Sequence, residues 1–242
     1  MRTQISQSVE SAPVVIGRAR QILSSDIDEF LRAVRGPREA AAEQVVRRLT
    51  EAGVSVEHVF LDLLAPTARR LGELWEQDAC DFVEVTVALG RLQRVLRGLS
   101  RLFAEDLDVA DATGSVLLTC LPGDQHTLGL FMVAEFFLRD GWLVNVGAPL
   151  GTGGLLDSVR REGFDLVGLS VSRASQLPTL ERVIRDVRAQ SRNPRVRVLV
   201  GGPPFAADPS LGDRVGADAA ATDARQALRL ARGMVAAHEG GG

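Results

Sequence analysis

The residues best suited to chemistry fall in three short segments of a 242-residue chain. In Pro122-Gly123-Asp124-Gln125-His126-Thr127-Leu128-Gly129 a carboxylate stands two residues before an imidazole, and a glycine follows three later. Imidazole is a good transition-metal ligand, and a carboxylate on its second nitrogen fixes the tautomer and raises basicity. Gly129 removes bulk where a large ligand could approach. The plainer alternative makes Asp124 a helix cap and His126 a loop residue; the spacing arises by chance in on the order of a few chains per hundred of this length. Ser170-Val171-Ser172 offers two hydroxyls that can bond a ligand or merely satisfy a strand end. Gly201-Gly202-Pro203-Pro204 permits close approach of a flat ligand, or only a tight turn.

These segments need a scaffold that brings distant strand ends together. Short apolar runs at 115–121, 142–148, 165–171 and 196–202, with a fifth short strand around 217–221, alternate with helical stretches. The helices are expected near 128–140, 151–163, 176–191 and 223–237. Strands without polar alternation, separated by helices, predict a parallel sheet covered on both faces. The fold class is therefore α/β, a Rossmann-like (flavodoxin-like) doubly wound sheet over 107–242. In that architecture ligands bind at the carboxyl ends of the strands. The three segments all lie there.

The first half has a different period. Phe60, Leu63, Leu64, Leu71, Leu74 and Trp75 form one stripe, and Leu89, Leu92, Val95, Leu96, Leu99, Leu102 and Phe103 another. Spacings of three and four predict packed amphipathic helices, a four-helix bundle over 27–106 with helices near 27–35, 37–52, 56–76 and 81–105. Asp81 with Glu84 has capping-box character, and Pro66 should start, kink or divide its helix. Residues 1–26 read as a flexible arm, and the acidic stretch from Asp106 to Gly114 as a linker.

Composition excludes several classes. With 45% hydrophobic and 24% charged residues the chain can build a core, so general disorder is excluded. No apolar run reaches the roughly 18–20 residues of a membrane span. No secretory signal is visible, and Cys80 and Cys120 form neither a CxxC pair nor a disulfide framework, which fits the cytoplasm. A net charge of −3 gives no global case for nucleic-acid binding. All 28 basic residues are arginine, as in a GC-rich genome. Arg91, Arg94, Arg97 and Arg101 recur along one helix face, either solvated or able to dock an acidic partner.

D-x-H-x-x-G after strand one, S-x-L after strand three and G-G after strand four form the pattern of the cobalamin-binding domain family, and this chain resembles it. Asp124, His126, Gly129, Gly201 and Gly202 match; Ser170 matches, with Ser172 at the usual leucine position. The resemblance implies that His126 is the lower cobalt ligand, replacing the cofactor's dimethylbenzimidazole, with Asp124 as its partner. Gly129, Ser170, Gly201 and Gly202 would make room for the displaced nucleotide tail, and Ser172 bears on the packing of that tail. The GADAAATDARQAL segment, with Thr222 and Asp223, is similar to the family's last strand and helix. Leu64-Ala65-Pro66 and Gly72-Glu73-Leu74-Trp75 resemble the family's helical cap, which places Trp75 over the cofactor; helical spacing alone makes it a core tryptophan. In photoreceptor members Glu-His stands nine and ten residues after that tryptophan. Here those positions are Glu84 and Val85, so the histidine able to take the upper cobalt site is missing. The resemblance covers roughly residues 55–240.

What it implies about use divides. The layout is similar to AerR-type light-responsive antirepressors of purple photosynthetic bacteria, which carry a helical region and a cobalamin domain without a DNA-binding module and act on a transcriptional repressor. Corrinoid methyl-carrier proteins share both halves and work beside a methyltransferase, and a heme-binding sensor variant would use His126 on iron. The chain has no HExxH, GxSxG or Walker loop, so it is expected not to be an enzyme by itself.

Overall fold

In a computed structural model, residues 20–101, 112–121, 124, 127–147 and 152–239 are described. Helix α1 (Ser24–Arg35) buries Phe30 and Val34, and α2 (Ala41–Glu51) buries Val45, Val46 and Leu49. The first helix starts three residues ahead of its expected start at 27. Asp26 explains the extension: it is 3% exposed, accepts the Leu23 N–H at 2.9 Å and pairs with Arg20 at 2.8 Å. A carboxylate in a first turn also suits the helix dipole.

A long helix follows in three stretches: α3 (Val56–His58), a π-helical segment (Val59–Leu64) and α4 (Ala65–Glu76). Pro66 therefore divides the helix as expected, sitting in the first turn of α4 directly after the wider π turns. Helix α5 (Phe82–Arg101) opens with the expected capping box. The Glu84 N–H donates to Asp81 Oδ1 at 2.8 Å, and the Asp81 N–H to Glu84 Oε2 at 3.1 Å.

Part of the basic face expected on α5 is engaged by the bundle, while Arg94 and Arg97 are exposed. Arg91 Nη1 donates to the Val34 carbonyl at 2.7 Å and to that of Gly36, satisfying groups left open at the end of α1. Arg94 is paired with Glu39.

The remainder alternates as the apolar runs predict: β1 (Gly114–Cys120), α6 (Leu128–Arg139), β2 (Trp142–Val146), α7 (Thr152–Arg161), β3 (Leu166–Ser170), α8 (Leu177–Gln190) and β4 (Arg197–Gly201). Two short helices, α9 (Pro203–Ala207) and α10 (Leu211–Arg214), precede β5 (Ala219–Ala221) and α11 (Ala224–Glu239). These two were not expected: Pro203 and Pro204 start a helix, with Gly202 as its N-cap, where the sequence suggests only a turn. All strand pairs are parallel, in the order β2-β1-β3-β4-β5, the flavodoxin-like arrangement.

Leu117, Val167, Leu169, Val198 and Val200 pack one face of the sheet. Val116, Leu118, Leu166 and Leu199 pack the other, with Phe137 and Ala227 from α6 and α11. The bundle joins this second side. Phe60 lies 6.3 Å from Phe136, the Arg139 guanidinium lies 5.7 Å from the Phe60 ring, and Arg225 bonds Glu57 at 2.5 Å. No helix among the described residues is long and apolar enough to cross a membrane.

Candidate functional site

Parallel register aligns the strand ends. Cys120 pairs with Ser170, Ser170 with Gly201, and Gly201 with Ala221. Strand alternation turns this row toward α6 and α11, so the upper end of that face carries nothing larger than a cysteine. One rung deeper the space is filled: a Cβ on Gly168 would lie 2.5 Å from Leu118 Cδ2. A slot without bulk thus opens only at the carboxyl edge, where Ser170 and Gly201 are half-buried.

Cys120 belongs to this row, although its sequence marks it only as the last apolar residue of a strand. Its thiol is pushed up to about 11, first by burial and then by the nearby Asp124 charge, while a hydrogen bond with Ser170 acts the other way. It is a neutral thiol. Cys80 is also buried, and neither cysteine forms a disulfide.

Asp124 is 2% exposed, and its Oδ2 accepts the Ser172 N–H at 3.0 Å. That bond ties the loop after β1 to the loop after β3. The Ser172 hydroxyl donates to Gln176 Oε1 at 3.3 Å, which also accepts the Arg173 N–H at 3.0 Å. His126 lies outside the described residues, as do Pro122, Gly123 and Gln125.

The glycines separate into two kinds. Gly202 has φ +113°, and a Cβ there would stand 2.0 Å from the Val171 carbonyl oxygen, so the fold itself demands glycine. Gly129, in the first turn of α6, would place a Cβ with nothing within 4 Å. Its smallness is not required by the chain's own packing, and Gly201 meets only Ala221 O at 3.4 Å. Thr222 is exposed, and its N–H and hydroxyl both donate to Gln226 Oε1 at 2.7 Å, an arrangement that organises the start of α11.

The α4–α5 hairpin exposes an apolar pair beside the polar tip residues Glu76, Gln77, Asp78 and Asp81. Trp75 is 46% exposed and Phe82 71% exposed, and their rings meet edge-on with centroids 6.3 Å apart. Val83 and Val87 are exposed beside them. The expectation of a core tryptophan from spacing alone is therefore corrected: Phe60, Leu63, Leu64 and Leu71 of the same stripe are buried, but the helix runs past the bundle before Trp75. Glu84 is held by the capping box and lies 3.7 Å from Arg35, and Val85 is half-buried.

A helical cap preceding a doubly wound sheet with an open, bulk-free carboxyl edge defines a class of cofactor-binding proteins, and comparison with known proteins gives the family. The B12 binding domain matches residues 114–231, and a second B12 binding domain matches residues 26–100. An uncharacterized 20.5 kDa protein in the bchF-crtJ intergenic region of Rhodobacter capsulatus is 31% identical over 173 residues, 71% of this chain and 89% of that protein. Dimethylamine corrinoid protein 2 of Methanosarcina acetivorans is 22% identical over 221 residues, 90% of this chain and 98% of that protein. The monomethylamine corrinoid protein of Methanosarcina barkeri superposes with a TM-score of 0.73 at 16% identity, covering 86% of this chain and 98% of that one, and so shares the fold. The chain belongs to the B12-binding domain family, and its cofactor is a cobalamin.

The residues present fit that group. A bulky macrocycle with a pendant tail needs room at the sheet edge and an apolar cover. The Cys120–Ser170–Gly201–Ala221 row and Gly129 leave the room, and Trp75 and Phe82 are exposed carbon available as cover.

Proposed function

We propose that the chain is a cytoplasmic, light-responsive cobalamin-binding regulator that acts by contact with a transcriptional repressor and is not itself an enzyme. The observation that carries this reading is the hairpin tip: Trp75 and Phe82 pack on one another and are otherwise largely open to solvent. Such a pair can repack with little loss of buried area, so it suits a surface whose arrangement follows its ligand. A ligand shifts an equilibrium only through differential affinity for the two states, and residues at the tip can sense a difference they touch.

When bound, cobalamin would supply a cobalt centre open to photochemistry and ligand exchange. In this reading His126 would hold the cobalt, Asp124, which accepts the Ser172 N–H, would orient that imidazole, and Gly129, Ser170, Gly201 and Gly202 would accommodate the tail.

A second reading, a corrinoid methyl carrier serving a methyltransferase, is favoured by one observation: dimethylamine corrinoid proteins match over 90% of the chain. The deciding experiment is an absorption spectrum of the purified chain with hydroxo- and adenosylcobalamin, before and after illumination, beside His126→Ala. A His126-dependent spectrum with a further light-driven change supports the regulator. Retained cofactor that ignores light, but is methylated after reduction in the presence of a methyl donor and partner enzyme, replaces it with the carrier. Heme retained in place of corrinoid overturns both.

A further inference from the structure

The outer face of α5 is not the evenly charged face that a bundle helix normally turns to water. At about 3.6 residues per turn, Val83, Val87, Gly90, Arg94 and Arg97 lie along one stripe, opposite the buried Ala88, Leu92, Val95 and Leu99. Every residue of the stripe is exposed. It starts apolar, narrows to glycine and ends in arginine.

The middle of the stripe is bare. Glycine in a helix interior is costly relative to alanine, yet a Cβ on Gly90, or on the exposed Gly98, would meet nothing within 4 Å. The chain's own packing requires neither glycine. A second helix laid on the stripe would, because helix axes approach more closely where Cβ atoms are missing.

The two ends of the helix carry opposite charge. Around the apolar end, residues 71–90 contain the carboxylates Glu73, Glu76, Asp78, Asp81 and Glu84 and no arginine. Arg35 of α1 offsets part of this charge, 3.7 Å from Glu84. Residues 91–101 contain only arginines as charged residues. Arg91 donates to the Val34 and Gly36 carbonyls, and Arg94 is paired with Glu39 and also feels the Glu43 charge. Arg97 is exposed and has no ion-pair partner among the described residues.

We infer that this stripe is the interface of a homodimer, in which α5 of a second copy crosses antiparallel at Gly90. A two-fold axis at that point sets Arg97 of each copy opposite Val83 of the other, in the turn that carries Asp81 and Glu84. The arginine stem then covers the valine while its guanidinium reaches the carboxylates. A parallel crossing would set like charge against like charge, so the charge gradient selects the antiparallel one. Two helix faces bury less than the roughly 1,600 Å² of a standard interface, so the dimer is reversible and concentration-dependent. The stripe contains neither Trp75 nor Phe82, nor any strand-end residue, and the inference stands apart from the proposed function.

The test is sedimentation velocity of the full chain from micromolar to roughly millimolar concentration, at low and high salt. A monomer–dimer equilibrium that weakens with salt is expected. Gly90→Gln puts bulk at the crossing and should weaken association roughly tenfold or more, without lowering the thermal unfolding temperature. Arg97→Glu and Val83→Arg should each weaken it roughly tenfold, and the double variant should recover most of the loss, because the two positions face one another only in the antiparallel register. Both side chains are exposed, so neither change threatens the fold. A monomer at every concentration overturns the inference, as does a dimer indifferent to Gly90→Gln. A double variant no better than the single ones overturns the antiparallel register.

Discussion

The buried carboxylate of Asp124 accepts the backbone N–H of Ser172 at 3.0 Å, joining two loops whose residues are 48 apart in sequence. Both loops sit at strand ends of the candidate cofactor site, so this bond sets their separation. Asp124→Ala should leave a buried N–H unsatisfied and cost about 1–3 kcal/mol, read by urea denaturation. Asp124→Asn keeps an acceptor and should recover most of that loss. A full loss in both variants would show that the charge matters, not the bond.

Two glycines should behave oppositely when replaced. Gly202→Ala meets the Val171 carbonyl and a φ of +113°, and should destabilise the apoprotein by several kcal/mol or prevent folding. Gly129→Ala meets open space in a helix and should leave apoprotein stability unchanged or raise it by up to about 1 kcal/mol. Thermal unfolding measures both effects. Cobalamin retention measured on Gly129→Ala then isolates a role in ligand approach, because its folding is not at issue.

Cys120 gives a pH signature. Its thiol is raised from 9.0 to about 11 in the folded protein, so folding favours the protonated form. The stabilisation is complete below pH 9 and is lost as pH rises from 9 through 11, by up to about 2–3 kcal/mol. Unfolding free energy measured across that window should fall more steeply in the native chain than in Cys120→Ala. Asp124→Asn removes one cause of the shift and should move the loss to lower pH.

Trp75→Ala and Phe82→Ala should each cost under about 1 kcal/mol, since both side chains are substantially exposed. Phe60→Ala should cost about 3–5 kcal/mol, because Phe60 is fully buried where the bundle meets Phe136. Under the proposed function, the tip variants retain cobalamin but lose the light-driven spectral change. Equal loss of retention and response would contradict that division of roles.

Much of this architecture was legible before any fold was known. Unbroken apolar runs such as Val116–Leu118 and Val198–Val200 identify strands buried on both faces, since an exposed face would demand polar alternation. The Asp81/Glu84 box and Pro66 mark helix boundaries through local chemistry alone, which is why they hold in the structure. Asp26 lay beyond this reach. The start of α1 depends on its pairing with Arg20 six residues earlier, and no periodic pattern records that contact.

The sequence by itself determined the two halves, the parallel sheet and the positions of the strand ends, because period and burial are encoded residue by residue. Tertiary structure alone decided which strand ends adjoin. The order β2-β1-β3-β4-β5 places Ser170 between Cys120 and Gly201, and composition is silent on such neighbours. It also decided that Trp75 is exposed and Arg91 occupied. A helical stripe specifies which face is apolar, whereas the extent of the partner helices decides how much of that face is covered.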